Sequence, residues 1–336
     1  MVELPSRESL EKAGECRVKI ISPIDNRAEV EPLLEAGADE LYGGYVPPEW
    51  RQRFSGLASI NQRTFEAAQI DSLDDLRAIV DSAHSAGVPF SLTLNAPFYS
   101  DDQLPLIVDF VGEMCQLGVD GVILADIALL RSLKGLFAGL ELHASTLAHL
   151  GNSGAVRKFV DEGISRVIFP RHIPVAEMKS MMQHFPDIVF DAFLLVGKCP
   201  NTEGLCSFHH SSSDRVWPCE IPYRIEPEGE MPSPELLAAI ERQNSWSQTN
   251  RRHGCGLCAI PALIEARLSG AKLVGRGAPT PQKVNNVVLV RDFIGLAASE
   301  PDFDRYRQQA IAAHKKRFGS PCSPNVCYYP EFYRAE

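Results

Sequence analysis

Along the chain, amphipathic stretches repeatedly end at a glycine and are followed at once by a short apolar run. This pattern recurs at Gly37, Gly87, Gly118, Gly163 and Gly270. Glycine readily takes the left-handed conformation that ends a helix, and β-branched apolar runs without polar alternation are typical of buried parallel strands. The pattern therefore predicts helices that alternate with the strands of a parallel sheet.

Eight apolar runs are interpreted as strands. They cover residues 18–24, 40–46, 89–95, 121–125, 141–145, 166–170, 188–197 and 272–276. Eight strand–helix units predict an α/β fold, a closed (β/α)8 barrel of the TIM type. A doubly wound open sheet is the alternative, but no GxGxxG follows the first strand, which weakens a dinucleotide-binding version of that fold.

The alternation is interrupted once, between strands seven and eight. The interruption, residues 198–260, is rich in cysteine, glycine and proline. It follows the carboxyl end of a strand, which is where barrel enzymes carry their chemistry. We expect an N-terminal extension over 1–17, a barrel over 18–300 that includes this cysteine-rich insertion, and a C-terminal helix and tail over 301–336.

Composition and charge limit the classes of partner. The chain of 336 residues is 45% hydrophobic and 23% charged, which is ordinary for a globular protein. Its formal net charge of -10 argues against the basic face that nucleic-acid binding requires, so no nucleic-acid partner is expected. No apolar run reaches the roughly 18 residues of a membrane span, and the first residues do not resemble a signal peptide. A cytoplasmic protein without a membrane span is therefore expected.

Five cysteines lie in the insertion and are candidate metal ligands. They are Cys199, Cys206 and Cys219, followed by the pair Cys255-x2-Cys258. Thiolates are soft ligands, and four of them bind either a 4Fe–4S cluster or a tetrahedral zinc ion. Structural zinc sites usually combine two CxxC pairs, so single cysteines dispersed along one loop favour the cluster. Zinc and reduced, unligated thiols are the alternatives.

The other four cysteines lie outside the insertion. Cys16 and Cys115 are predicted to be structural, since Cys115 falls in an amphipathic stretch. Cys322 and Cys327 lie in a proline-rich tail, where a second site, a redox pair and no role are all open. Because no secretion signal is recognised, the nine cysteines of the chain are expected to be reduced rather than paired in disulfides.

Three polar residues near the ends of predicted strands are candidate catalytic groups. They are Asn95, Asp126 and His143. At the mouth of a barrel His143 could transfer a proton to or from an oxygenated substrate. Each has a structural alternative, since Asp126 could cap the following helix and His143 could be a satisfied core histidine.

Three further residues near strand ends are candidate substrate-binding groups. They are Ser145, Arg171 and Arg276. Two guanidinium groups, together with the helix that begins after Pro279, would suit an anionic dicarboxylate. Paired surface charges are the alternative interpretation of the two arginines.

Four segments of the chain resemble peptidase family U32, the collagenase-like family. The segments are LLEAGADELYGG, HASTLAHLGNSGAVRKFVDEGISRVIFPR, KCPNTEGLC and KLVGRGAPTPQKVNNVV, and the resemblance extends over about residues 18–300. The order strand, HAST, asparagine, helix is the most specific part, and the Cys-x6-Cys step is typical of the family.

The resemblance implies a 4Fe–4S protein. Its ligands would be Cys199, Cys206, Cys219 and Cys258, with Cys255 as the substitute for the fourth. The family includes accessory proteins of oxygen-independent ubiquinone hydroxylation and RNA-hydroxylation proteins. The acidic charge and the missing basic segment after Cys206 favour the ubiquinone type. The expected function is thus to support oxygen-independent hydroxylation of a small aromatic or quinone-like substrate, with prephenate as the suggested oxygen donor.

Two alternative functions follow from the same resemblance. One is a peptidase, as the family name suggests, and the other is a non-catalytic scaffold that bears a cluster for a partner. A Ser–His–Asp arrangement can be drawn from Ser145, His143 and Asp126, but no GxSxG motif supports it. No HExxH motif of a zinc peptidase is present either. The expected partners are a small molecule, a second chain of the family and an electron-transfer protein.

Overall fold

The computed structural model of the protein describes most of the chain. The described residues are 18–54, 59–63, 65–199, 203–205, 221, 223–229, 231–247 and 249–334. Cys16, Cys206 and Cys219 therefore lie outside the described residues, as does the expected N-terminal extension over 1–17.

Eight parallel strands form a closed barrel in chain order. The strands are β1 Lys19–Pro23, β2 Glu40–Gly43, β3 Phe90–Leu94, β4 Gly121–Leu124, β5 Glu141–Ala144, β6 Arg166–Ile168, β7 Val189–Leu195 and β8 Gly270–Leu273. The last strand closes the barrel against the first, with Lys19 opposite Gly270. The predicted (β/α)8 barrel is thus confirmed, and the open doubly wound sheet is wrong.

Helices alternate with the strands along the chain, and several of them pack against the outer face of the barrel. They are α1 Val30–Ala36, α2 Pro48–Arg53, α3 Leu73–Ser85, α4 Leu104–Leu117, α5 Ile127–Leu133, α6 Ser153–Asp161, α7 Val175–His184, α8 Pro234–Ser247, α9 Ile260–Glu265, α10 Thr280–Ser299 and α11 Phe303–Phe318. As the pattern predicts, Gly37 and Gly118 end α1 and α4 in the left-handed conformation. Within the described ranges, no helix combines the length and the hydropathy of a transmembrane span.

Several charged side chains meet in the amino-terminal half of the barrel interior. Arg166, the first residue of β6, donates to both carboxylate oxygens of Glu40, the first residue of β2, at 2.5 and 3.2 Å. The guanidinium of Arg166 also lies 3.6 Å from Asp191 and 3.3 Å from Glu141. Because β2 and β6 are on opposite sides of the barrel, these side chains meet across its interior.

A buried lysine completes this charged layer. Lys272 of β8 places its Nζ 3.7 Å from the centroid of the Tyr42 ring, in a cation–π contact. Burial lowers the pKa of Lys272 to about 8, against the opposing effect of the Asp191 carboxylate. Burial also raises the pKa of Asp191 to about 6, against the effect of Arg166. The layer therefore holds mutually compensating charges that depend on one another to remain ionised.

Candidate functional site at the barrel mouth

Two predicted site residues meet at the carboxyl ends of the strands. Asn95 follows β3 and Ser145 follows β5, and the Asn95 Nδ2 donates to the Ser145 Oγ at 3.3 Å. The Asn95 Oδ1 is buried and has no hydrogen-bond partner in the described part of the chain. A buried carbonyl oxygen without a donor is costly, so the Asn95 Oδ1 is a candidate acceptor for a hydrogen bond from a bound molecule.

Asp126 caps the helix that follows β4. One carboxylate oxygen accepts from the Leu129 N at 2.8 Å, which is the N-cap bond of α5. The other oxygen accepts from the Tyr99 N at 3.0 Å. Both oxygens of Asp126 thus bind backbone amides and fix the loop after β3 beside α5. The capping alternative agrees with this geometry, and a catalytic role of Asp126 stays a prediction.

His143 lies lower in the barrel than the sequence suggests. It is the third residue of β5, and its Nε2 is 2.8 Å from the Oε2 of Glu141, at the amino-terminal end of the same strand. It pairs in register with Arg166 and so belongs to the charged layer. Burial, with the nearby Arg166, outweighs the carboxylate of Glu141 and lowers the pKa of His143 to about 4. At neutral pH the imidazole is therefore uncharged.

Replacing His143 with glutamine should weaken the acid sensitivity of the fold. Between pH 6.5 and about 4 the unfolded chain binds a proton at this histidine and the folded chain does not. The stabilising contribution is therefore complete above pH 6.5 and is lost as the pH falls towards 4. Between pH 7 and pH 4 we expect the free energy of unfolding to fall by about 3 kcal/mol more for the wild-type protein than for His143→Gln. Urea unfolding of both proteins across this pH range measures the difference. If the unfolding free energies of the two proteins change in parallel with pH, the expectation is refuted.

Arg276 anchors a loop at the mouth. Its guanidinium donates to the Ala68 O at 2.7 and 3.1 Å and to the Asn61 O at 3.2 Å. It also donates to the Thr93 Oγ1 at 3.0 Å and to the Gln69 Oε1 at 3.2 Å. These bonds hold the segment between α2 and α3 against β3. The expected contact of Arg276 with a substrate anion stays a prediction.

Arg171 binds a glutamate that the sequence analysis does not identify. Its Nη1 is 3.1 Å from the Glu203 Oε1, and the guanidinium stacks on Phe193 at 4.1 Å. The same Glu203 oxygen accepts from the Thr146 Oγ1 at 2.5 Å and from the Arg171 N at 3.1 Å. Glu203 lies between Cys199 and Cys206 in the chain, so this cluster fastens the start of the cysteine-rich loop to the barrel mouth.

Two cations accompany the first cysteine of the loop. Cys199 interacts electrostatically with Arg171 and with the buried Lys198. The Nε of Arg171 is buried and has no hydrogen-bond partner within the described ranges. The Lys198 Nζ lies 5.3 Å from the centroid of the Tyr328 ring. Two neighbouring cations favour the thiolate form of a cysteine, so this environment is compatible with the iron–sulfur ligand expected at Cys199.

The CxxC pair lies beside the cysteines of the tail. Cys255 and Cys327 are partners in a parallel β-bridge. Burial, with Cys327 and Cys322 nearby, raises the pKa of Cys258 to about 12. Among the described residues, no three His, Cys, Asp or Glu side chains are already arranged around a point at metal-binding distance. The described geometry thus brings the segment around Cys255 together with the tail around Cys327, although the two are distant in the sequence.

Comparison with known proteins gives one family and several relatives. The description "Peptidase family U32" matches residues 25–331. The "tRNA hydroxylation protein P1" of Bacillus subtilis is 24% identical over 291 residues, which are 84% of this chain and 64% of that protein. The "23S rRNA 5-hydroxycytidine C2501 synthase" of Escherichia coli is 23% identical over 268 residues, 77% of this chain and 36% of that protein.

A third relative is the "tRNA hydroxylation protein P" of Helicobacter pylori, 24% identical over 201 residues, which are 60% of this chain and 44% of that protein. The chain thus spans less than two thirds of the length of each of these relatives. Their names contradict two expectations from the sequence. The assignment to a small aromatic or quinone-like substrate with prephenate is wrong, and so is the exclusion of nucleic acid.

Proposed function

The chain belongs to peptidase family U32, and we propose on that basis that it takes part in the hydroxylation of a base in RNA. The observation that carries the proposal is the alignment with the tRNA hydroxylation protein of Bacillus subtilis, which extends over 84% of the chain. Two further relatives are also named for hydroxylation of RNA. The net charge of -10 does not oppose this, because it averages the whole surface whereas RNA needs only local cations.

The barrel mouth offers contacts that suit a single base. Proteins that modify a base take it out of its stack and bind its edge in a pocket. The buried Oδ1 of Asn95, which accepts no hydrogen bond within the described chain, is suited to an amino group on such an edge. The neighbouring hydroxyl of Ser145 both accepts and donates. These two residues are the proposed base contacts, with Arg171 nearby to offset negative charge.

The proposal includes an iron–sulfur cluster bound by Cys199, Cys206, Cys219 and Cys258, the ligands that the family resemblance implies. When bound, such a cluster supplies one-electron chemistry whose potential depends on nearby charge and hydrogen bonds. Arg171 and Lys198 beside Cys199 are suited to hold its negative charge. The tether through Glu203 keeps this part of the loop against the mouth, so that the cluster and the bound base would be close together.

The described contacts do not favour a serine peptidase built on the triad drawn from sequence. His143 hydrogen-bonds to Glu141 at 2.8 Å, in the amino-terminal half of the barrel. Asp126 uses both carboxylate oxygens for backbone amides. Ser145 instead accepts from Asn95 and from the Leu147 N. The three side chains therefore have separate partners, and no hydrogen bond joins them in the described structure.

Loss of the gene in its own host should remove a hydroxylated nucleoside from tRNA or rRNA. We expect the wild-type gene to restore that nucleoside and Cys199→Ser to leave less than a tenth of it, because the cluster would be lost. Cys115→Ser, a matched change in α4 away from the mouth, should restore it fully. Mass spectrometry of digested RNA measures all three. An unchanged nucleoside profile in the deletion strain would refute the proposed function.

A further inference from the structure

The loops that follow β5 and β6 carry two stacked histidine rings at the barrel mouth. The ring centroids of His149 and His172 are 5.4 Å apart, and their planes differ by 30°. His172 is exposed and His149 is half-buried. The two loops are also bonded to each other, because the Thr146 Oγ1 donates to the Phe169 O at 3.3 Å. The pair is therefore an aromatic surface on two connected loops.

His149 lies one turn away from Ser145, which is one of the proposed base contacts. The 3-10 turn Thr146–Ala148 begins after Ser145 and ends at His149. The His149 N closes this turn by donating to the Thr146 O at 3.3 Å. At a rise of about 2 Å per residue, the turn separates the backbones of Ser145 and His149 by roughly 8 Å. Two successive nucleotides of an unstacked strand can span such a distance.

The backbone of His149 has an unusual conformation that the surroundings maintain. Its φ of 55° lies in the left-handed region, which is uncommon for residues other than glycine. Gly204 packs directly against it, since a Cβ on Gly204 would lie 2.6 Å from the His149 Cβ. The His149 Nδ1 is buried and has no hydrogen-bond partner in the described part of the chain. Such conformations cluster at functional sites, where the surrounding structure holds them.

The loop after β3 holds another aromatic ring outside the core. The Ala96 N donates to the Tyr99 hydroxyl at 3.3 Å, and the Tyr99 N donates to the Asp126 Oδ2 at 3.0 Å. Ala96 and Tyr99 are buried, and Pro97 and Phe98 form the exposed tip between them. Phe98 is 74% exposed, more than any other large apolar residue described outside the insertion. Its exposure therefore occurs on a loop that is anchored on both sides.

We propose that Phe98 and the His149–His172 pair are stacking platforms for the two nucleotides that flank the modified base. The hydrogen bond between Asn95 and Ser145 connects the ends of β3 and β5. Phe98 lies on the β3 side of this bond, and His172 lies on the β6 side. Flipping a base out of its stack exposes the faces of its neighbours, and unpaired bases stack on aromatic side chains.

This inference rests on the proposed function and specifies its substrate. A strand whose bases are free to stack on both platforms is an unpaired segment of RNA. In a duplex the flanking bases remain stacked on each other and are not available to the two platforms. The chain should therefore bind single-stranded RNA in preference to double-stranded RNA.

RNA binding by purified variants tests the two platforms. Fluorescence anisotropy gives the Kd of the full-length protein, purified without oxygen, for a labelled oligouridine and a short RNA duplex at one low salt concentration. We expect Phe98→Ala and His172→Ala each to raise the Kd for the oligouridine about tenfold, a usual loss for one stacked base. Phe98→Tyr and His172→Phe keep an aromatic ring, so the Kd should stay within about threefold of the wild-type value.

Two matched variants control for the loss of an exposed side chain. Leu136 is 57% exposed and precedes β5, and the exposed His184 ends α7 and precedes β7. Both therefore lie at the end of the barrel opposite to the mouth. Leu136→Ala and His184→Ala should leave the Kd for the oligouridine unchanged. All of the substituted side chains are exposed, so the variants are expected to fold.

Several outcomes would overturn the inference. One is an alanine variant at Phe98 or His172 that binds the oligouridine as tightly as the wild-type protein. Others are an equal loss of affinity in the variants that keep a ring, equal binding of strand and duplex, and no binding of the oligouridine. The nucleoside profile of the deletion strain tests the proposed function separately. An unchanged profile together with the expected Kd values would refute hydroxylation and leave the RNA-binding platforms in place.

Discussion

Replacing Arg166 with methionine is expected to lower the free energy of unfolding by about 3–5 kcal/mol, the usual cost of removing one partner from a buried ion pair. The side chain of Arg166 is 8% exposed and that of Glu40 is 4% exposed. Burial acts to raise the pKa of Glu40, but the hydrogen bond and charge of Arg166 outweigh it and lower that pKa. Methionine has a similar length and no charge, so Glu40 and Asp191 would lose their common cation.

The loss should depend on pH. Without Arg166 the carboxyl pKa values rise, so both acids can become neutral in mild acid, and the penalty for burying their charge disappears. The difference in stability between wild type and variant should therefore be larger at pH 8 than at pH 5.5. Urea unfolding at the two pH values measures it. A difference below about 1 kcal/mol that does not change with pH would contradict the expectation.

A matched control is available on the surface. Arg131 lies 2.8 Å from Glu162, but its side chain is 55% exposed. Exposed ion pairs contribute little, because water and salt screen them. Arg131→Met should therefore leave the unfolding midpoint almost unchanged, although it removes the same charge. The contrast between the two arginines isolates burial as the cause.

The barrel was predictable from sequence because its strands and helix ends are local patterns. Apolar runs after Gly37 and Gly118 mark β2 and β4, and the structure places both strands there. The charged interior was less visible. A signal existed, since Asp191 stands inside the apolar run VFDAFLL of β7. The sequence could not show that this aspartate meets Arg166, because the contact depends on how neighbouring strands are staggered across the barrel.

The mouth was only partly predictable for the same reason. Asn95 and Ser145 could be placed there, because residues that follow parallel strands share one end of the barrel. Glu203 could not, since its contact with Arg171 spans a loop without regular pattern. The pairing of Cys255 with Cys327 could not be predicted either, because the two residues are 72 positions apart, from 255 to 327. The substrate was misjudged because net charge averages over the surface and does not report on the mouth.

Replacing Arg171 with methionine is the second change with a large expected effect, again about 3–5 kcal/mol of unfolding free energy. The Glu203 side chain is 6% exposed and would keep its charge without a cation nearby. The stacking of the guanidinium on Phe193 would be lost as well. Since Glu203 fastens the cysteine-rich loop, we also expect the iron content of protein purified without oxygen to fall.

A double-mutant cycle tests whether this pair acts as a unit. Glu203→Gln should cost less than Arg171→Met, because the amide oxygen can still accept from Thr146 and from the Arg171 N. In the double variant neither charge remains unpaired, so its cost should be at least 1 kcal/mol below the sum of the single costs. Additive costs would show that Arg171 stabilises the mouth independently of Glu203. In that case the loop would be held mainly by packing, such as that of Gly204 against His149, because the described hydrogen bonds and ion pair of the Glu203 side chain all go to Arg171 and Thr146.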